Sequence, residues 1–242
     1  KARLNRYLSN SKPGRALEIG CGDGRDLLYL KKQGWQVVGT ELSEASADAA
    51  RSAGLEVHSE DLADLGFPDA QFDVVMMWHV IEHLPTPRQA LQEVHRVLKP
   101  NGSLLLACPN YRSIDLFLAS ERAYLEAPRH LYHFTEPVLR RLLSDVGFDV
   151  LSTHRFSLEI GVVSTMQSLL NILPLTNRTP NFILDWLGAK LYKPRLEEGY
   201  RKHLLTNLAF MIPVGILSFF LVAGAALLRF SPTIELSAKR TS

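Results

Sequence analysis

The chain has 242 residues, 46% of them apolar and 21% charged, with a formal net charge of +2. This composition excludes a disordered or fibrous chain, and the near-neutral charge leaves no global basic field for nucleic acid. The length suits one large domain, or one domain with an addition, that buries a core without disulfides; two cysteines, Cys21 and Cys108, suit a reducing compartment.

Residues 16–21 form a short apolar run that ends in glycines and reads as a buried strand. Residues 26–33 read as a helix stopped by Gly34. A second strand covers 36–42. Ser43 can cap a helix that runs to Ala53, and Gly54 ends it. Residues 55–60 read as a third strand, followed by Asp61. Residues 72–78 are apolar on both faces, as a central parallel strand should be. Residues 88–99 carry Leu91, Val94, Val97 and Leu98 at helical spacing and stop at Pro100-Asn101-Gly102. A fifth strand spans 103–108. Thr135 caps a further helix with Val138, Leu139, Leu142, Leu143 and Val146 inward. Residues 148–155 form a sixth strand. Strands alternating with helices mean an α/β fold with a mostly parallel sheet.

Glu18-Ile19-Gly20-Cys21-Gly22-Asp23-Gly24 joins the first strand to the first helix. Glycines there allow a tight turn and close approach to a ligand, and the helix N-terminus behind them favours a polar group. Glu41 lies about 20 residues on, where a carboxylate can accept hydrogen bonds from both hydroxyls of a ribose. Asp61 is placed after the third strand to meet an adenine amino group. A nicotinamide dehydrogenase uses similar pieces, but its third glycine lies two residues further along; here the spacing is G-x-G-x-G.

With Glu41, Asp61, Phe72-Asp-Val-Val75, Val80-Ile-Glu-His-Leu84 and Leu98-Lys-Pro-Asn-Gly-Ser-Leu104, the glycine segment resembles the class I S-adenosylmethionine-dependent methyltransferases. The similarity is to their ubiquinone-methyltransferase-like branch, of methyltransferase type 11 or 23. It covers residues 14 to about 156 and the last strand. It implies a Rossmann-like, seven-stranded, mostly parallel sheet. It also implies S-adenosyl-L-methionine as cofactor. Gly20, Cys21, Gly22 and Gly24 would shape the floor under the methionine part, with Glu18 near its ammonium. Glu41 would hold the ribose, with Leu42 against the adenine. Asp61 and Leu62 would frame the adenine edge. Trp78 and His79 would line the pocket near the sulfonium.

His79-Val-Ile-Glu82-His83 reads H-x-x-E-H, but a zinc peptidase needs that pattern on a helix, and here it leaves a strand. Some class I methyltransferases, including small-RNA 2′-O-methyltransferases, carry E-x-x-E-H at this place and bind a divalent metal. This chain has His79 in place of the first Glu, so no metal is assigned. His130 and His133 follow the fifth strand. In this fold the loops after strands four and five open onto the acceptor side. His79, His130 and His133 are therefore the candidate catalytic residues, with His79 or His130 favoured as proton acceptor. The alternatives are that His130 and His133 pair with backbone or acids and fix the loop, or that the imidazoles and a carboxylate converge to bind a metal.

From Ile160 to Asn177 no residue is charged. Val162, Val163, Met166, Leu169, Leu170 and Leu173 form one helical stripe, with Ser164, Thr165, Gln167, Ser168 and Asn171 facing the other way, and Pro174 ends it. A polar stretch follows, with Asp185, Lys190, Lys193, Arg195, Glu197, Glu198, Arg201 and Lys202. Residues 204–228 are again uncharged and long enough to span a bilayer, though Pro213, Gly215 and Gly224 interrupt them. Residues 233–240 alternate like a half-exposed strand, expected to run antiparallel beside the sixth. Both ends of the insertion then lie on one side of any membrane, which excludes a single crossing. The expected organisation is a cofactor-binding core over 1–157, an apolar helical insertion over 158–230 and a final strand and tail over 231–242. The insertion reads as a hairpin in the bilayer interface, or as a buried cap or homodimer interface. The chain starts at Lys1 rather than Met, so a preceding segment is expected, and no signal peptide opens it. The expected place is cytoplasmic, peripheral on the inner face of a membrane.

The leading expectation is methyl transfer to an oxygen of a lipophilic small-molecule acceptor, such as a quinone precursor or lipid-linked intermediate. A soluble small-metabolite methyltransferase with a helical dimer interface is the second reading. A non-catalytic cofactor-binding subunit of a membrane assembly is the third.

Overall fold

A computed structural model describes residues 2–123, 128–157, 160–172 and 198–241. Seven strands form one sheet: β1 (Arg15–Ile19), β2 (Gln36–Thr40), β3 (Glu56–His58), β4 (Phe72–Trp78), β5 (Leu98–Pro109), β6 (Phe148–His154) and β7 (Thr233–Arg240). Their order is β3-β2-β1-β4-β5-β7-β6. The pairs β2–β3, β1–β2, β1–β4 and β4–β5 are parallel, and β6–β7 is antiparallel, from Phe148 opposite Arg240 to His154 opposite Glu235. This is the expected class I methyltransferase sheet, and the last strand takes the expected place beside the sixth.

The chain divides into two compact units. The first holds residues 1–108, 131–154 and 235–242; the second holds 109–130 and 155–234.

In the first unit, α2 (Arg25–Lys32), α3 (Glu44–Ser52), α4 (Pro87–Val97) and α6 (Glu136–Asp145) flank the sheet; α1 (Ala2–Leu8) precedes it. β4 is buried on both faces, as its unbroken apolar run requires, with Val75, Met76 and Met77 fully enclosed. The third strand is three residues long rather than six and pairs with β2 at the edge of the sheet. The fifth starts at Leu98, earlier than expected. Leu98 pairs with Phe72, the chain turns at Asn101 (φ 61°), and pairing resumes at Ser103 opposite Val74. Pro100-Asn101-Gly102 is thus a bulge inside the strand, not a break before it. On α6, Leu139 and Leu143 are buried, but Val138, expected inward, is 56% exposed. One helical step, about 100°, separates Val138 from Leu139 and carries it off the buried face. Neither Ser43 nor Thr135 makes a side-chain cap bond, although each occupies the N-cap position. The sequence pattern does not reveal α1, which has too few turns to show a period. It buries Leu4 and Leu8 and is tied down by Arg3–Asp26 (2.9 Å) and Arg6–Glu235 (3.0 Å).

The second unit contains α5 (Ile114–Ala119), α7 (Gly161–Ile172) and α8 (Glu198–Leu227). Segment 109–114 is stitched to 230–232: Asn110 N–H donates to the Pro232 carbonyl, Asn110 Nδ2 to that of Ser231, and Ile114 N–H to that of Phe230. α7 is buried on parts of both faces. Thr165, Gln167 and Ser168 of the polar face are buried together with Met166 and Leu170 of the apolar stripe, whereas Val162, Val163 and Leu169 are half-buried. The polar face is held by Asp115 on α5, 5% exposed, whose carboxylate accepts from Ser164 Oγ (2.6 Å) and Thr165 Oγ1 (2.5 Å). A buried acid recruits the polar face of its neighbour. Pro213 does not interrupt α8, which is continuous through it. One lost hydrogen bond is tolerated in a long helix whose neighbouring turns hold. Gly215 and Gly161 let the two helices approach: a Cβ at Gly215 would lie 3.3 Å from Met166 Sδ, and one at Gly161 would lie 3.4 Å from Val222 Cγ1. Leu173, Pro174 and the polar stretch with Asp185, Lys190, Lys193, Arg195 and Glu197 lie outside the described residues. Among the described residues, no helix is long and apolar enough to cross a membrane.

Candidate functional site

β1 lies between β2 and β4, so the chain leaves it in opposite directions across the sheet. A crevice opens outside the carboxyl ends of strands at such a reversal, and ligands of open α/β sheets bind there. The glycine segment sits at this point. Gly20 and Cys21 donate their N–H groups to the Thr40 carbonyl at 2.8 and 3.0 Å, fastening the turn to the end of β2. Gly20 (φ 68°) and Gly24 (φ 76°) have left-handed backbones. A Cβ at Gly20 would strike Val80 Cγ2 at 2.6 Å, and one at Gly24 would strike Leu55 Cδ1 at 2.2 Å, so both positions require glycine. A Cβ at Gly22 would meet nothing within 4 Å, so the loop has open space above its middle glycine.

Glu41 braces this loop. Its Oε2 accepts from Gly22 N–H at 2.9 Å and its Oε1 from Ser43 N–H at 2.8 Å. A carboxylate has about four acceptor positions, so two remain for a ligand's hydroxyls. Leu42 beside it is 65% exposed. Asp61 is exposed and Leu62 buried, in the segment that follows β3. Cys21 turns inward: its Sγ packs on β2, where a Cβ at Gly39 would lie 2.6 Å away. Burial first, then the charges of Glu18 and Glu41, push its thiol up to about 12. Its part in a site is confined to its backbone.

Glu18 is 4% exposed, and among the described residues its Oε2 has no hydrogen-bond partner. Burial, then the charge of Asp26, holds its carboxyl well above the usual range, while Arg3 draws it back. Trp78 Nε1 is likewise buried and unpartnered among the described residues. The Arg3 guanidinium lies 3.9 Å over the Trp78 ring.

His79 follows β4 with φ 55°, and its N–H continues the ladder to the Ala107 carbonyl at 2.8 Å. A 3₁₀ turn, Ile81–His83, comes next and buries Glu82 completely. His79 Nδ1 lies 3.4 Å from Glu82 Oε1. Segment 131–134 is fastened to this turn. Leu131 and Tyr132 donate their N–H groups to the Glu82 carbonyl at 2.8 and 3.2 Å, and Tyr132 OH donates to the Pro85 carbonyl at 3.0 Å. His133 is exposed within that segment. His130 is half-buried and belongs to the second unit.

The sequence matches a family described as methyltransferase domain over residues 1–153. The chain belongs to this family. A probable S-adenosylmethionine-dependent methyltransferase of Mycolicibacterium smegmatis is 33% identical over 139 residues, covering 57% of this chain and 52% of that protein. A ubiquinone biosynthesis O-methyltransferase of Alkalilimnicola ehrlichii is 31% identical over 105 residues, 40% of this chain and 42% of that protein. The chain therefore spans about half the length of the curated relatives it matches, or less. The crystal structure of a methyltransferase from Archaeoglobus fulgidus, dependent on S-adenosylmethionine, shares the fold. Its TM-score is 0.61 at 22% identity, over 99% of this chain and 92% of that one.

S-adenosylmethionine is the cofactor of this methyltransferase-domain family, and the residues at the crevice fit it. The unpartnered Glu18 oxygen suits an ammonium group. Glu41 has acceptor positions to spare, and the space over Gly22 is open. Arg3 carries no signal in the sequence: α1 brings it over Trp78 and into a salt bridge with Asp26. Glu82 is visible as part of H-x-x-E-H, but its complete burial is not.

Proposed function

We propose that this chain transfers a methyl group from S-adenosylmethionine to an oxygen of a lipophilic or membrane-associated small molecule, such as a quinone precursor or lipid-linked intermediate. Membership of the methyltransferase-domain family, with the crevice residues above, supports the chemistry. One relative is a ubiquinone biosynthesis O-methyltransferase, which supports oxygen as the acceptor atom.

The observation that carries the lipophilic part is a stripe on α8. Ile212, Ile216, Phe220 and Leu227 are 74%, 57%, 68% and 86% exposed along one side of the helix, and Leu217 and Leu228 flank them. Residues 212–228 carry no charge. Single exposed apolar residues are ordinary, but a continuous stripe without charges is an interaction surface. A helix of this kind lies in a bilayer interface with its apolar side down.

When bound, the cofactor supplies a methyl on a sulfonium, whose sulfur leaves as a neutral thioether. The protein's share is positioning, exclusion of water and proton removal. Glu18 would receive the ammonium group, Glu41 the ribose hydroxyls, and Leu42, Asp61 and Leu62 the adenine. Gly20, Gly22 and Gly24 would form the floor. His79 would accept the proton of the acceptor hydroxyl.

The test uses cofactor with a labelled methyl group, membranes of the source organism and an organic–aqueous partition. Label in the organic phase that Glu41→Ala abolishes supports the reading. Label only in the aqueous phase turns the stripe into a dimer surface and the acceptor into a polar metabolite. Cofactor binding without any transfer to either phase supports a non-catalytic subunit.

A further inference from the structure

Glu82 is 0% exposed, and among the described residues neither of its carboxylate oxygens has a hydrogen-bond partner. An ionisable group so placed is costly unless a proton donor or a cation faces it. His79 faces it with Nδ1 3.4 Å from Oε1, and a ring nitrogen of His83 lies within 4.8 Å of its carboxylate. That spacing is longer than a completed hydrogen bond. Hydrogen bonds of catalytic groups are often long before substrate arrives and tighten in the complex.

The fold spends three features on this pair. His79 takes a left-handed backbone (φ 55°), which a β-carbon disfavours. The 3₁₀ turn, closed by His83 N–H to the Val80 carbonyl at 2.9 Å, returns Glu82 beneath it. Two N–H groups, from Leu131 and Tyr132, converge on the Glu82 carbonyl and pin the turn. The histidine side chain is 20% exposed and the glutamate side chain 1%, so the ring has one edge on a buried carboxylate and remains partly open to solvent.

We infer that Glu82 is a positioning residue for His79. It accepts the Nδ1 proton, which leaves Nε2 as the bare nitrogen, and it offsets the charge that the ring gains on taking a second proton. In the transfer step the acceptor O–H bond breaks, its proton goes to Nε2, and its electron pair stays on the oxygen that takes the methyl. The inference rests on the reading of His79 as proton acceptor, and its test separates the two.

Nitrogen-15 NMR of the imidazole rings, with His79→Ala to assign the signal, is expected to show His79 protonated at Nδ1. Glu82→Gln is expected to shift that tautomer toward Nε2–H. Turnover of an alkyl-substituted catechol in mixed micelles is expected to fall about 100-fold or more in Glu82→Gln, with cofactor affinity unchanged. In a His79→Ala background Glu82→Gln is expected to cost nothing further, because it acts only through the ring. Full turnover in His79→Ala sinks the reading of His79 as base. Loss in His79→Ala with normal turnover and an unchanged tautomer in Glu82→Gln sinks the positioning role alone. Additive losses in the double variant also overturn it.

Discussion

The two units differ in what they bury and what they expose. In the first, apolar side chains fill the interior and polar atoms collect at the carboxyl edge of the sheet. There, among the described residues, Glu18 Oε2, Trp78 Nε1 and both Glu82 oxygens stay buried without a hydrogen-bond partner. In the second, the buried carboxylate of Asp115 is bonded to two hydroxyls, and large apolar side chains of α8 face outward. Unsatisfied buried polar atoms mark a place built for a ligand. Exposed apolar side chains mark a place built for a surface. The first unit thus leaves polar groups that fit a small polar cofactor, and the second leaves an apolar stripe exposed.

The sharpest way to break this contrast is to charge the stripe. Ile216→Asp with Phe220→Asp should weaken partition onto lipid vesicles by about 100-fold, since two large apolar side chains lose about 3 kcal/mol of burial. Circular dichroism should not change, because both side chains are exposed. Unchanged partition, with a dimer lost in light scattering, would reassign the stripe to a second copy of the chain.

At the other pole, Glu41→Ala should weaken cofactor binding by about 30-fold in calorimetry, or about 2 kcal/mol. The variant loses the ribose acceptor and frees the Gly22 and Ser43 N–H groups together. Equal affinity in variant and parent would remove Glu41 from the site.

Asp115→Ala should lower stability to urea by about 1–3 kcal/mol, because Ser164 and Thr165 lose their buried acceptor. Asp115→Asn should recover part of that loss. No change in either variant would mean that the buried polar face of α7 does not depend on this carboxylate.

The smallest effect is a proton count at Glu18. Its folded-state carboxyl lies well above the ordinary 4.5, chiefly through burial. Stability from this group is therefore full below about 4.5 and lost as pH rises through the raised value. Above that value the cofactor-free protein holds an ionised, buried glutamate, so Glu18→Gln should raise its melting temperature while weakening cofactor binding. A bound ammonium favours the carboxylate, so binding at a pH below the raised value should release up to one proton. Calorimetry in buffers of different ionisation enthalpy reads this directly. Proton uptake would contradict the assignment.

Most of the sheet was legible because apolar runs and alternation leave local traces. Residues 72–78, an unbroken apolar run, and 233–240, an alternating one, appear with the expected bounds. The glycine loop and Glu41 were legible for the same reason: spacing along the chain sets their register at the strand ends. The burial of α7's polar face was not. The pattern sets an apolar stripe against a polar face, and a single acid on a six-residue helix, about 50 residues earlier in the chain, buries part of that polar face along with Met166 and Leu170.

By itself, then, the sequence determined the alternation of strands and helices, the turn at Gly20 and Gly24, and the family to which the chain belongs. Each depends on backbone propensity or on neighbours a few residues apart. Only tertiary structure decided that Arg3 lies over Trp78, that Glu82 sits in full burial against His79, and which side of α7 and α8 faces in. Those outcomes depend on desolvation, and a charged or apolar side chain is desolvated only by residues distant in the chain that the fold brings against it.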